Sequence, residues 1–199
     1  MLAAAARITR KVGVPVTVDA EAGYGMTAVE LVAELKGMGA AGCNLEDTNH
    51  AAQTLRDPAQ QAAWLRDVRQ AASGQGYRLV INARIDVFLP SAVSGSGGRT
   101  QGELMPEALR RARAYLGASA DCVFPVGLSE AGALAAFVSK CPGPVNMLRI
   151  PQAPSLAELA MLGVARVSYA TLLHRGMMEQ FSRVLASLAA EQGEHPRTG

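Results

Sequence analysis

The sequence predicts an α/β fold, a (β/α)8 TIM-type barrel with six of its eight strand–helix units inside the 199 residues. Three observations predict it. Short strand segments alternate strictly with helical segments, six times, which implies a parallel sheet with right-handed crossovers. Polar residues stand at the ends of four different strand segments: Asp19, Glu46, Arg84 and Asn146. A barrel converges many strand ends on one centre, whereas an open sheet offers mainly its switch point. Finally, no glycine-rich phosphate loop of the GxGxxG or Walker type is present. A complete barrel takes about 250 residues. The expectation is therefore one barrel domain over residues 1–199, short by two N-terminal units, with a flexible tail at 192–199.

Residues 1–12 read as a helix with an apolar stripe of Leu2, Ala5, Ile8 and Val12, stopped at Gly13. Val14–Asp19 reads as a strand apolar on both faces, as a buried parallel strand should be. Thr27 and Glu30 form a capping box for a helix through Lys36. Ala41–Glu46 is the second strand, and residues 48–57 are a polar loop. Asp57-Pro58 supplies an N-cap and an N1 proline for a helix to about Ser73. Tyr77–Ile85 is the third strand. Residues 90–101 read as a mobile loop at the carboxylate end, suited to a lid or an insertion. Glu103–Leu116 is a helix, and Cys122–Val126 a strand. Ser129 caps a helix to Lys140. Pro144–Leu148 is a strand, Ser155 caps Leu156–Leu162, and Val164–Ser168 is the sixth strand. A last helix spans about Ala170–Ala190.

With 49% hydrophobic and 18% charged residues, the chain can bury a sizeable core. Its 19 basic and 17 acidic residues leave a net charge of +2, with no basic stripe interleaved with aromatics, so nucleic acid is not an expected partner. No apolar run reaches the length of a membrane span, and Met1–Arg7 lacks the pattern of a signal peptide, so the expected location is cytoplasmic. Cys43, Cys122 and Cys141 form no CxxC pair and read as buried free thiols.

The chemistry gathers around Val14–Gly25. Asp19 and Glu21 fall on the same side of the chain if the extended conformation continues through Ala20. Glu46 adds a third acid from the next strand end. Converging carboxylates repel unless a cation lies between them, and oxygen-only donors favour Mg2+ or Mn2+. Arg84 is the base at a neighbouring strand end, suited either to a carboxylate or phosphate of a ligand or to an ion pair with Glu46 or Asp86. Gly23 and Gly25 allow close backbone approach to a ligand, or an ordinary turn. His50, in the loop after Glu46, is a proton carrier or a bystander; His174, His195 and Ser168 carry no role.

These segments resemble the isocitrate lyase/phosphoenolpyruvate mutase superfamily, nearest to its phosphonomutase-like and oxaloacetate-decarboxylase-like members. The matching stretches are Pro15–Gly25, Gly42–Asp47, Ile81–Asp86, Gly143–Asn146 and Leu162–Ser168, in order and spacing. The resemblance implies a barrel whose first two units lie ahead of the residue numbered 1, assembled as a homo-oligomer. It implies Asp19, Glu21 and Glu46 as the metal set, Arg84 and Glu46 as catalytic residues, and Gly23, Tyr24, Gly25, Arg84 and Asn146 as the substrate-binding residues. The implied activity is that of a Mg2+-dependent lyase or mutase-like enzyme, breaking or forming a C–C or P–C bond in a small 2-oxo acid through a metal-stabilised pyruvate enolate. The loop Thr48–Gln53 lacks the cysteine of the family's isocitrate-type lyases and the lysine of its mutases, which argues against both of those activities. The alternative is an inactive remnant that depends on oligomerisation or on a partner chain.

Overall fold

The computed structural model describes residues 2–89, 98–151 and 153–193. In chain order the elements are α1 (Leu2–Thr9), β1 (Thr17–Asp19), α2 (Ala28–Gly37), β2 (Gly42–Glu46), β3 (Thr48–Asn49), β4 (Thr54–Leu55), α3 (Pro58–Gly74) and β5 (Val80–Ile85). There follow α4 (Gln101–Gly117), β6 (Cys122–Pro125), α5 (Ala131–Lys140), β7 (Asn146–Leu148), α6 (Leu156–Met161), β8 (Arg166–Ser168) and α7 (Leu172–Gly193).

The order β1-β2-β5-β6 forms a parallel sheet. A parallel bridge from Val123 to Val145 leads on to β7, which pairs with β8. All six expected strand segments are thus found, in an α/β arrangement. Arg166 Nη2 donates to Thr17 Oγ1 at 2.9 Å, a side-chain contact between the last strand and the first. The register aligns Asp19 with Asn44, Asn44 with Asn82, Glu46 with Arg84, and Arg84 with Phe124. Paired residues of parallel strands share a face, and alternate residues point to opposite faces. One face therefore carries Cys43, Leu45, Ile81, Ala83, Ile85, Val123, Val145 and Met147, all buried in the core with Leu31, Leu35, Leu65, Val68, Ala108, Tyr115, Leu134 and Phe137 of α2 to α5. The other face carries Asp19, Asn44, Glu46, Asn82, Arg84, Cys122, Phe124 and Asn146. Gly42 sits where β2 and β5 approach too closely for a side chain: a Cβ there would lie 2.6 Å from the Val80 carbonyl.

Several local expectations are corrected. The first strand is shorter than Val14–Asp19 and is not buried on both faces. Val14 is 67% exposed, Thr17 and Asp19 are exposed, and within β1 Val18 alone is buried. Pro15 has no N–H for a ladder, and among the described residues β1 pairs only with β2. Ile8 and Val12 face solvent, so the stripe of α1 is not continued inward beyond Ala5. Residues 48–57 hold the antiparallel pair β3–β4. Ser129 does not cap α5. Glu130 is the N-cap, without a side-chain cap of its own. Instead Gln101 Oε1 accepts the Ser129 and Glu130 N–H groups, so a side chain of α4 does the capping. Cys43 and Cys122 are buried free thiols and Cys141 is half-buried; burial pushes Cys43 up to about 12.

Most of the expected loop at 90–101 lies outside the described residues, as does the tail beyond Gly193. Among the described residues no helix is long and apolar enough to cross a membrane. The chain divides between Val167 and Ser168 into two compact units. The second consists mainly of α7, whose Leu173, Met177, Met178, Phe181, Val184, Leu185 and Leu188 are exposed.

Among the described residues, three helices begin with a complete capping box: Thr27/Glu30, Thr100/Glu103 and Ser155/Glu158. Hydrogen bonds from the Thr27 and Thr100 backbone, and from the Ser155 side chain, hold these three carboxyls below their ordinary value of 4.5. A carboxyl lowered in the folded state favours folding above its ordinary value and loses that contribution as the pH falls through the folded one. The triple variant Glu30→Gln, Glu103→Gln, Glu158→Gln should therefore lose less Tm than the parent on acidification below 4.5. Parallel Tm-against-pH curves for the two proteins would refute this account.

Candidate active site

The site begins where β1 ends. Alternation does not place Glu21 beside Asp19, because the extended conformation stops at Asp19. Glu21 has φ 48°, in the left-handed region, a conformation uncommon for a residue with a side chain. A turn does the placing instead. Asp19 Oδ1 accepts the Glu21 N–H at 3.1 Å, and the Gly23 N–H bonds the Ala20 carbonyl at 2.8 Å. The Glu21 carbonyl then accepts the Glu46 N–H at 2.9 Å, which ties the turn to the end of β2. Tyr24 donates its hydroxyl to the Asp19 carbonyl at 3.0 Å. Its phenol is pushed up to about 12, by burial first and then by Glu21, Asp19 and Glu46. The charges of all three acids thus reach one phenol.

Gly23 and Gly25 differ. A Cβ on Gly23 would lie 2.6 Å from the Trp64 ring, and φ there is 90°. Packing against Trp64 accounts for this glycine. Gly25, with φ 73°, has nothing within 4 Å of its Cβ position, so its open side is accessible. Arg56 lies over Trp64 with 5.6 Å to the ring centroid and donates to the Ala22 carbonyl at 3.3 Å, bracing the turn from behind.

Glu46, 2% exposed, has both oxygens engaged. Oε2 lies 2.6 Å from Arg84 Nη1 and Oε1 lies 2.5 Å from His50 Nε2. Burial raises its carboxyl above the ordinary range, partly offset by Arg84 and His50. Arg84 also places Nε 2.6 Å from Asp86 Oδ1. Burial lowers the Arg84 pKa, but Asp86, Glu46 and Asp19 outweigh it and leave the guanidinium more firmly charged than usual. The ion pairs to Glu46 and to Asp86 are therefore both made, while the Arg84 side chain keeps 21% exposure.

Asn146 lies on the same face, fully buried, and neither atom of its amide has a hydrogen-bond partner among the described residues. Asn82 donates to Asn44 Oδ1 at 2.8 Å but leaves its own Oδ1 unpaired. Buried polar groups are normally hydrogen-bonded, so unpaired amides on the site face mark places for water or ligand.

Sequence reasoning missed the layer behind the site. Asp47, fully buried, accepts the Asp86 N–H at 2.9 Å, Arg111 Nη1 at 3.0 Å and the Tyr115 hydroxyl at 2.7 Å. Thr48 donates to Asp86 Oδ2 at 2.6 Å, and Gln61 donates to the Glu46 carbonyl at 3.0 Å. One signal was available: Arg111 falls within the stripe Leu104, Ala108, Ala112 and Tyr115 that α4 buries, where a charge needs a partner.

The donor set suits a hard divalent cation. Asp19 and Glu21 offer carboxylates on one turn; one oxygen of Asp19 takes a backbone N–H, and no other protein hydrogen bond engages either carboxylate among the described residues. Among those residues no group of three or more His, Cys, Asp or Glu is gathered to hold a metal. Mg2+ typically uses one or two carboxylates and completes its shell with water and substrate oxygens. Direct coordination by Glu46 would require it to give up a bond to Arg84 or His50.

The family model for phosphoenolpyruvate phosphomutase matches residues 1–189. The crystal structure of a candidate phosphonomutase from Burkholderia cenocepacia superposes with a TM-score of 0.85 at 37% identity, over 94% of this chain and 74% of that one. An oxaloacetate decarboxylase of Bradyrhizobium is 29% identical over 189 residues, 94% of this chain and 62% of its own. A phosphonopyruvate hydrolase crystallised with oxalate and Mg2+ shares the fold, with a TM-score of 0.77 at 22% identity over 99% of this chain and 70% of that one. The chain spans between 53% and 64% of the length of the curated relatives compared with it. With the strand-end motifs, the sheet order and this match over nearly its whole length, the chain belongs to the phosphoenolpyruvate phosphomutase family, within the PEP mutase/isocitrate lyase superfamily.

Proposed function

We propose that the chain is a Mg2+-dependent lyase or phosphomutase-like enzyme that breaks or forms a C–C or P–C bond in a small 2-oxo acid, built as a (β/α)8 barrel of which β1, β2, β5, β6, β7 and β8 are six strands. The observation that carries this reading is one sheet face with Asp19, Glu46 and a charged, partly exposed Arg84, the turn after it bringing Glu21 onto Asp19, and an Asn146 amide unpaired among the described residues. The oxalate and Mg2+ bound by the structurally similar hydrolase, and the activity of the decarboxylase relative, support the same class of ligand.

Asp19 and Glu21 would hold the metal, with Glu46 reaching it directly or through water. The bound ion would supply positive charge where the negative charge of a pyruvate enolate develops. Arg84 presents a planar donor fork for the carboxylate or phosphonate of the substrate. Asn146 offers an amide donor and acceptor that no group among the described residues has claimed. Gly25 would leave backbone open to the ligand with Tyr24 beside it, while Glu46 holds the Arg84 guanidinium. The exposed apolar side chains of α7 fit a homo-oligomer in which another copy covers them.

The test is pyruvate release from oxaloacetate, phosphonopyruvate and substituted malates, with Mg2+ or with EDTA, against protein-free controls. Mg2+-dependent turnover of at least one compound is expected. No turnover of any of them by a sample that melts cooperatively would sink the enzyme reading and favour a non-catalytic chain.

A further inference from the structure

The site face depends on a buried relay that reaches it from α4. Arg84 Nε bonds Asp86 Oδ1 at 2.6 Å. Asp86 is 1% exposed, and its other oxygen takes the Thr48 hydroxyl at 2.6 Å. Its N–H bonds Asp47 Oδ1 at 2.9 Å. The second oxygen of Asp47 takes Arg111 at 3.0 Å and Tyr115 at 2.7 Å. Arg111 is anchored in turn to the Arg56 carbonyl at 2.9 Å and to Glu107 Oε1 at 2.7 Å. Every oxygen in the two carboxylates is therefore used, and each partner is fixed by a further bond.

We infer that Asp86 is a positioning residue for Arg84, and that Thr48 and the Asp47–Arg111–Tyr115 cluster hold Asp86 so that the Arg84 guanidinium keeps one orientation toward the ligand. The inference rests on Arg84 being the substrate clamp of the proposed function. The geometry assigns the labour as follows. Glu46 takes Nη1 and Asp86 takes Nε, so two carboxylates on neighbouring strand ends fix the guanidinium plane. A guanidinium held at two points is pre-organised for bidentate recognition, so less freedom is lost when a ligand binds. Asp86 sits one residue beyond β5, where the strand no longer restrains it. Thr48, on the hairpin strand β3, and Asp47, one residue beyond β2, supply that restraint from the neighbouring strand end. Arg111 and Tyr115 link it to the C-terminal half of α4.

The test reads Arg84 directly. In 15N-labelled protein, the Arg84 Nε–H signal is assigned by its loss in Arg84→Lys, and its exchange with water is measured without any ligand. Loss of a charge-assisted hydrogen bond should speed that exchange about ten-fold in Asp86→Asn and in Thr48→Val. Thr48→Ser keeps the hydroxyl and should restore the parent rate. Thr48→Val changes no charge and little volume, so it reports even if Asp86→Asn does not fold. With Mg2+ present, oxalate titrated calorimetrically should bind Asp86→Asn about ten-fold more weakly than the parent, while binding of Mg2+ alone stays the same. Unchanged Nε–H exchange in Thr48→Val, or in folded Asp86→Asn, overturns the positioning role. If the parent protein ignores oxalate while exchange responds as described, the substrate reading of Arg84 fails and its positioning by Asp86 stands.

Discussion

Arg111→Ala is expected to cost about 3–5 kcal/mol of folding stability, because it removes one partner of a buried ion pair. Asp47 would keep the Tyr115 hydroxyl and the Asp86 N–H but lose the positive charge of Arg111. Domains of this kind are stable by about 5–15 kcal/mol, so the loss should lower Tm by roughly 6–20 °C. The pH dependence has a definite sign. Burial raises the Asp47 carboxyl above its ordinary value of 3.8, and Arg111 opposes that rise. A carboxyl raised in the folded state favours folding below its ordinary value, and that advantage is lost as the pH climbs through the folded value. Without Arg111 the rise is larger. The deficit of the variant should therefore be greatest at neutral pH and shrink as the pH falls toward 3.8. Denaturant unfolding of both proteins at neutral and acidic pH checks this. A cost below about 1 kcal/mol would mean that the pair is solvated, as surface pairs are.

Asp19→Asn should behave oppositely, with function lost and the fold kept. Asp19 is exposed, and the substituted amide retains an oxygen to accept the Glu21 N–H. Surface substitutions of this kind usually change stability by about 0.5 kcal/mol or less. What disappears is one negative charge at the proposed cation site. Mg2+ at about a hundred times its Kd would stabilise the parent by about 2.7 kcal/mol, and the corresponding rise in Tm should vanish in the variant. If the ion supplies about 4 kcal/mol of stabilisation to developing charge, turnover should fall about a thousand-fold. A full Mg2+ response in Asp19→Asn would remove the centre of the proposed function, and turnover that persists alongside it would place the chemistry elsewhere.

Most of the strand and helix segments were legible because their signals are local. Thr27-x-x-Glu30 and Ser155 state their helix starts within a few residues, and the β-branched residues of the runs ending at Asp19 and Ile85 state those strands. The places of Asp19, Glu46 and Arg84 were legible for the same reason: each stands at or next to a strand end, and a parallel sheet brings its strand ends to one side. Ser129 misled because its neighbourhood is capped by Gln101, 28 residues away, which no local pattern reports. The length of β1 was overestimated because burial depends on what lies beside a strand, and Pro15 and Val14 do not say.

By itself, then, the sequence determined the alternation of strands and helices, the caps, and which polar residues stand at the carboxyl end of the sheet, since propensity, capping and side-chain period act between near neighbours. The tertiary structure alone decided how those residues are used. Glu21 reaches the site through a left-handed turn rather than an extended strand. Glu46 is shared between Arg84 and His50. Asp47 meets Arg111 and Tyr115 across separations of 64 and 68 residues. These contacts follow from register and burial, where a charge removed from water takes whichever partner the packed neighbours supply.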